Sequence, residues 1–333
     1  MKVLVTGGGG FLGQAICAQL RERGHVVRAF NRTRHAALDK LGVEQHLGDI
    51  TNLDAVVAAS EGVDAIVHTA GKVGAWGPAE EYYDANVRGT DNVLAACELN
   101  SIRKLVFTSS PSAIRGNRGD LEGVDESIPY PAHFGTPYAE TKALAEQRVL
   151  AANGAELATV LLRPQFIWGP GDPNLMPRIL ARARAGRLRL IDGGNKKIDT
   201  VYVDNAAEAH VLALEKLDIG APIAGKVYFI SNGEPVTHAF LFNAWLDAAG
   251  LPPETRSIKS GLANAAGAAL EFLYGLAGTQ DEPPLTRYLA EQMSTANWYD
   301  IRAARRDLGY APRVSIIDGL KRLREHLRRS PTG

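Results

Sequence analysis

Through the first half of the chain, apolar positions follow two alternating rhythms. A short β-branched or aliphatic run gives way to a turn, and then to apolar residues at helical spacing. Val3-Leu4-Val5 lead into Thr6-Gly7-Gly8-Gly9-Gly10 and on to Phe11, Leu12, Ile16 and Leu20. Gly24 closes that helix, and His25-Val26-Val27-Arg28-Ala29-Phe30-Asn31 reads as the next strand. The rhythm repeats with strands over residues 42–47, 65–68 and 104–108 and helices over 53–60 and 80–99. Such alternation predicts an α/β fold, a doubly wound parallel sheet of Rossmann type with helices on both faces. From about Pro170 the alternation loosens into shorter pieces. The division expected is a sheet-forming part over residues 1–170 and a smaller C-terminal α/β part over 171–333, with segments returning to the core.

Two later stretches carry patterns of their own. Residues 316–327 place Ile316, Ile317, Leu320, Leu323 and Leu327 in a stripe opposite Arg and Lys, which is packing. Residues 261–278 hold a single charge, Glu271, and precede Pro283-Pro284, which would end a helix. This segment is too weakly apolar to span a bilayer. Over residues 262–276 it reads as a lid or wall above an apolar cavity, with a buried core helix and a surface-seeking helix as the alternatives.

Composition narrows the partners. The 333 residues suffice for one large core and a satellite, and 37 Lys+Arg balance 37 Asp+Glu, so no global field recruits nucleic acid or an anionic membrane. Cys17 and Cys97 sit in apolar helical patterns without metal-ligand spacing. Reduced buried thiols, no metal and a cytoplasmic setting are expected. The chain enters its first strand without a charged leader and has no apolar run of about 18 residues, so a soluble protein is expected.

The chemistry gathers at the strand ends. Gly7 suits the positive φ of a tight turn, Gly10 lets backbone approach a pyrophosphate, and Gly13 lets the helix pack close on its strand. The phosphates would sit on the N–H groups of the helix opening at Phe11 and Leu12. The second strand ends on uncharged Asn31 followed by Arg32 and Arg34, which favours NADP(H), with NAD as the alternative. Asp49 follows the third strand, before Ile50, and either meets the adenine amino group or caps the next helix. Ala70-Gly71, after the fourth strand, would let the cofactor approach closely. The fifth strand delivers Ser109, Ser110 and Ser112, and residues 115–136 read as a lid margin. Tyr138 and Lys142 share one helical face, where an ammonium can stabilise a phenolate and let it exchange a proton with an alcohol near neutral pH. Arg178 and Arg182 also share a face, either to receive a carboxylate or phosphate or as a solvated basic face.

Taken together, Thr6-Gly7-x-x-Gly10-x-x-Gly13, the serines after the fifth strand and Tyr138-x-x-x-Lys142 resemble an extended short-chain dehydrogenase/reductase. Arg163-Pro164, Trp168-Gly169-Pro170-Gly171, Tyr202-Val203-Asp204-Asn205-Ala206, Trp298-Tyr299-Asp300-Ile301 and Asp307-Leu308-Gly309-Tyr310 extend the likeness to the 3β-hydroxysteroid dehydrogenase-like branch. The resemblance implies Tyr138 as proton donor or acceptor and Lys142 as its tuner and ribose ligand. It implies Ser110 as the group positioning the reacting oxygen, with Ser112 as the alternative. Pro164 would join the cofactor site, Asn86 would be the structural asparagine, and residues 171–333 would mainly bind substrate. Thr108 is followed by Ser109-Ser110 rather than Asp-Glu, which argues against a sugar dehydratase. Within the branch the stretches from Tyr138 and Phe229 look nearest to bacterial NADPH-dependent reductases of 2-alkyl-3-oxo acids in long-chain olefin biosynthesis. Sterol 4-carboxylate and 3β-hydroxysteroid dehydrogenases come next, then a sugar-nucleotide epimerase or a non-catalytic NADP sensor. The implied ligand is an apolar β-keto or β-hydroxy acid, and the implied associations are a homodimer or contacts with enzymes of the same pathway.

Overall fold

An unbroken aliphatic run can bury both faces of a strand, and Val3, Leu4 and Val5 are fully buried at the centre of a seven-stranded sheet. The computed structural model describes residues 1–116, 118–279 and 281–329. In chain order the strands are β1 (Lys2–Thr6), β2 (Val26–Asn31), β3 (Glu44–Leu47), β4 (Ala65–His68), β5 (Lys104–Thr108), β6 (Leu121–Val124), β7 (Ala158–Pro164), β8 (Ile167–Trp168), β9 (Leu190–Ile191), β10 (Lys197–Ile198), β11 (Val201–Tyr202), β12 (Lys226–Ile230), β13 (Val236–Thr237), β14 (Ser257–Ile258) and β15 (Asn297–Tyr299). The helices are α1 (Phe11–Glu22), α2 (Ala36–Lys40), α3 (Leu53–Ser60), α4 (Ala79–Tyr83), α5 (Gly89–Leu99), α6 (Ser112–Arg115), α7 (Pro137–Ala151), α8 (Leu175–Arg184), α9 (Val203–Lys216), α10 (His238–Ala248), α11 (Ser260–Leu276), α12 (Arg287–Ser294) and α13 (Ile316–Arg329).

The large sheet runs β12-β7-β5-β4-β1-β2-β3, every pair parallel. The chain steps outward from β1 to β2 and β3, then returns to β1's other side with β4. The carboxyl ends of β1 and β4 therefore flank the switch point, where ligands bind in such sheets. The expected doubly wound α/β architecture is present. β12 comes from beyond residue 170 and completes this sheet, and α9 packs on α1. Conversely β6 leaves the first half to join a second sheet, β13-β10-β15-β6.

Some elements differ from expectation. Residues 80–99 form one continuous helical run, but Asp84–Arg88 is a π turn between α4 and α5. One inserted residue barely disturbs the apolar period, so the pattern hides it. Residues 115–136, read as a lid margin, instead contribute β6 to the second sheet, while Phe134, Gly135 and Thr136 stay beside a cavity. In α13 the stripe buries Ile316 and Leu323 and half-buries Leu320 and Leu327, whereas Ile317 faces out. Among the described residues no helix is long and apolar enough to cross a membrane.

Candidate active site

The turn after β1 is tight enough to exclude side chains. Gly7 has a φ of +70°, and a Cβ there would stand 2.9 Å from the Ala70 backbone. A Cβ on Gly13 would fall 2.2 Å from the Gly7 carbonyl oxygen, which shows how closely α1 sits on its strand. Gly10 is different, since its Cβ would meet only the Gly7 oxygen at 3.2 Å and its outer side is open. Gly10 is also the N-cap of α1, with no side-chain cap and no acidic residue in the first turn. The leading N–H groups at Phe11 and Leu12 are thus left for an anion, while both side chains pack inward. These features fit the pyrophosphate of a dinucleotide.

The end of β2 meets the same turn. Buried Asn31 accepts a 2.6 Å hydrogen bond from the Gly9 N–H through Oδ1, and its Nδ2 is buried without a partner among the described residues. Gly9 has no side chain because the His35 ring lies where a Cβ would be, 2.1 Å from that position. Arg32 is exposed, and Arg34, also exposed, is paired with Asp39 at 2.8 and 3.1 Å. Asp49 is no helix cap. Asn52 caps α3 by accepting from Ala55 N–H at 3.1 Å, and Asp49 closes a turn on the Thr51 N–H and hydroxyl. Those bonds, with a smaller contribution from Arg32, hold its carboxyl below the ordinary range. Ile50 fills the space under Gly89, whose Cβ would come within 2.9 Å. Gly71 makes room for a carboxamide rather than simply for a cofactor, since a Cβ there would be 2.8 Å from Asn86 Oδ1. Pro164 is buried at the end of β7, in register with Ile230.

Asn86 lies on the π turn and ties three elements together. It accepts from the Lys72 N–H at 2.7 Å and donates to the Lys72 carbonyl at 3.1 Å and to Thr141 Oγ1 at 3.0 Å. Thr141 stands between Tyr138 and Lys142 on α7, whose first turn carries Pro137 and is capped by Thr136, accepting from Ala139 N–H at 3.2 Å. The loop after β4 and the tyrosine helix are therefore held in one register by a single amide.

Tyr138 and Lys142 meet the serines at the end of β5. Lys142 is buried and donates to the Thr108 carbonyl at 2.6 Å, with its ammonium 4.5 Å from the centre of the Phe107 ring. Burial lowers it to about 8, against an upward pull from Glu146. Burial pushes the Tyr138 phenol up to about 12, and the Ser110 hydroxyl draws it back. Burial is thus the largest influence on the phenol, and the lysine ammonium is held by Thr108. The three serines part company. Ser109 donates to buried Glu146 at 2.5 Å, in a cluster where Glu146 also accepts from Tyr130 at 2.6 Å and from Arg163. Ser110 faces Tyr138 and lies 3.2 Å from both the hydroxyl and the N–H of Ser112. Ser112 in turn reaches the Tyr288 hydroxyl at 3.3 Å. Both serines thus belong to one hydroxyl row.

That row opens toward a cavity of about 880 Å³ between α11, α12 and the loops around Trp76 and Phe134. Pro137 and Tyr288 are shared by the cavity and the Tyr138 site. Helix α11 does form one wall, but through Asn264, Glu271, Tyr274 and Gly275. The wall is less apolar than expected, since Leu262, Phe272, Leu273 and Leu276 are all exposed on the outer face. Arg178 is paired with Glu282 at 2.6 Å, so it offers no free partner to Arg182. No cluster of metal-ligating side chains occurs among the described residues.

A glycine turn at a sheet switch point, facing a tyrosine and lysine on the opposite wall, can hold a nicotinamide dinucleotide against a carbonyl or carbinol carbon. The sequence matches the 3-beta hydroxysteroid dehydrogenase/isomerase family over residues 4–258. The chain belongs to that family. Membership makes it an oxidoreductase acting on CH–OH and keto groups with a nicotinamide cofactor. It is 54% identical over 97% of its length to 98% of the 2-alkyl-3-oxoalkanoate reductase of Stenotrophomonas maltophilia. The 2-alkyl-3-oxoalkanoate reductase of Shewanella oneidensis is 47% identical over 97% of this chain and 85% of its own. In three dimensions the UDP-glucose 4-epimerase of Thermus thermophilus, solved with NAD, is 25% identical with a TM-score of 0.77, covering 98% of this chain and 99% of that one. Family motifs make Tyr138, Lys142 and the serines visible in sequence. Tyr288 and His35 carry no such signal, because each acquires its place only when distant elements pack.

Proposed function

We propose that this protein reduces the ketone of a 2-alkyl-3-oxoalkanoic acid to the 3-hydroxy acid with NADPH, reversibly, within long-chain olefin biosynthesis. The observation that carries the reading is Tyr138 beside Ser110 at the edge of a cavity of about 880 Å³, in a chain 54% identical to a reductase of that name. When bound, the cofactor supplies hydride to the carbonyl carbon. The protein's own contribution is the proton and its placement. With its phenol pushed up to about 12, Tyr138 holds a proton at neutral pH and can give it to a developing alkoxide. Ser110 orients that oxygen, and Lys142, one helical turn after the phenol, is fixed on the Thr108 carbonyl, where it would hold the cofactor ribose. Selection of NADPH rests on Asn31. Its acceptor oxygen is taken by Gly9, so none is left for the ribose of NAD, and exposed Arg32 beside it is available to the oxygens of a 2′-phosphate. Trp76, Phe134, Tyr274 and Tyr288 give the cavity apolar surface for alkyl branches.

The test is NADPH oxidation with 2-alkyl-3-oxo acids of increasing length. Each buried methylene is worth about 0.8 kcal/mol, so kcat/KM should climb about fourfold per carbon over several carbons and then level off. NADPH should outperform NADH. Indifference to chain length, or faster turnover of a 3β-hydroxysteroid or sterol acid, would replace this reading with the steroid dehydrogenase one that the family name favours.

A further inference from the structure

Arg115 closes the short helix α6 that Ser112 opens, and it is only 3% exposed. Its guanidinium donates to the Thr295 hydroxyl, while Nη1 is buried with no partner. Among the described residues no carboxylate forms an ion pair with it. The contrast with Arg163, which is equally buried but paired with Glu146, is direct. Asp120 is the acid whose charge it feels, yet the Asp120 oxygens are occupied by Lys196 and the Ala296 N–H. His238, Tyr288 and Tyr299 all sense its charge, and Tyr288 also senses, more weakly, the carboxylate of Glu291, which lines the cavity and pairs with no cation among the described residues. A buried cation left without a counter-ion is expensive for a fold to keep, and an anion arriving from outside removes the expense.

The hydroxyl row shows where such an anion would sit. A 3-oxo acid carries its carboxylate two bonds from the ketone carbon, so a ketone held by Tyr138 and Ser110 puts that carboxylate at the next hydroxyls in the row. Those are Ser112 and Tyr288, which lie 3.3 Å apart and have Arg115 behind them. The other cation on α12, Arg287, is exposed and already bound to Glu271 at 2.6 Å. We propose that Ser112 and Tyr288 bind the substrate carboxylate and that Arg115, acting through Tyr288, is the positioning charge that makes the site select a 3-oxo acid over an uncharged ketone. This rests on the keto-acid reading above. Ser112 and Ser110 then divide the labour, one for the carboxylate and one for the ketone.

The experiment compares initial rates on a freshly prepared 2-alkyl-3-oxo acid and its methyl ester, which keeps the ketone and removes the charge. The full-length wild type, Arg115→Gln, Arg115→Lys and Tyr288→Phe are assayed, with NADPH affinity followed by fluorescence. The wild type should favour the acid at least about tenfold in kcat/KM, the expected worth of a charge-assisted contact. Arg115→Gln should bring the ratio near unity through KM for the acid, leaving the ester rate and NADPH binding within about twofold. Arg115→Lys should restore part of the preference, and Tyr288→Phe should lose part of it. A ratio unchanged in Tyr288→Phe and Arg115→Lys overturns the assignment, even if Arg115→Gln fails to fold. A wild type that reduces acid and ester equally also overturns it while leaving ketone reduction intact. Failure to reduce either compound would instead count against the keto-acid reading itself.

Discussion

Lys142 spends its ammonium on the Thr108 carbonyl, so it is a clasp between β5 and α7 as well as a charge near Tyr138. As the proposed proton donor Tyr138 has no substitute in the site, because Ser110 and Ser112 hold alcohols and Tyr288 is engaged by Ser112. Tyr138→Phe should therefore bind NADPH as tightly as the wild type while turnover falls by at least about a hundredfold, the lower range for loss of general acid catalysis. Steady-state rates and a fluorescence titration on the same preparation check both halves, and near-normal turnover would remove Tyr138 from its role. Tyr138 and Lys142 are legible in sequence because both lie on one helix, where spacing alone fixes a shared face. Arg115 and Tyr288 are not. They come together from α6 and α12 only through packing, and nothing in the neighbours of an arginine in sequence says whether it will be buried unpaired.

Between residue and fold, the π turn at Asp84–Arg88 is the element on which the site's register depends. It delivers Asn86 to the loop after β4 and to Thr141 on α7. Gly71→Ala would place a Cβ 2.8 Å from Asn86 Oδ1 and force the amide off both partners. Overpacking of this kind costs about 1–3 kcal/mol, so the melting temperature should drop by several degrees and kcat should fall, with a smaller change in cofactor affinity. Gly154→Ala, where nothing lies within 4 Å, is the control and should change neither quantity. An unperturbed Gly71→Ala enzyme would show that the clamp is dispensable. The helical run itself is plain from its apolar period, and the family likeness reaches Asn86 as the structural asparagine. Its contacts are beyond reach of the sequence, since a single-residue bulge alters the helix by less than the pattern can resolve. Helix α11 shows the opposite failure. Its lack of charge suggests a wall over an apolar cavity, but a helix with small residues at Ala263 and Gly267 packs by that narrow side and leaves Leu262 and Leu276 outside.

For the whole molecule, acid should be the sharper threat to stability. Burial lowers His68 to about 3 and both His210 and His238 to about 4, against about 6.5 in an unfolded chain. Below pH 6.5 the unfolded chain takes up protons that the folded protein refuses, so their stabilisation is present above 6.5 and drains as pH falls toward 4. Asp199, raised by burial to about 6, works in the other direction and offsets roughly one of the three protons. Among these four groups the histidines outweigh Asp199, so stability should fall as pH drops through 5. Denaturant titrations at pH 7, 6 and 5 measure it, and a flat profile would mean that these histidines are not held neutral. The parallel sheet is the most legible feature at this scale, because β1 to β5 repeat one simple rhythm. Which later segment completes it is not legible, since β8 to β11, α8 and α9 all intervene between β7 and β12. That separation has a meaning during synthesis. By the time β7 has emerged from a ribosome, Tyr138 and Lys142 are already made, yet β7 offers a bare edge until residues 226–230 arrive. At about 5–20 residues per second the wait lasts several seconds, long enough for an unpaired parallel edge to meet another nascent chain. The pace of elongation through the intervening stretch, or a chaperone that covers the edge meanwhile, is thus a determinant of how much folded enzyme a cell obtains.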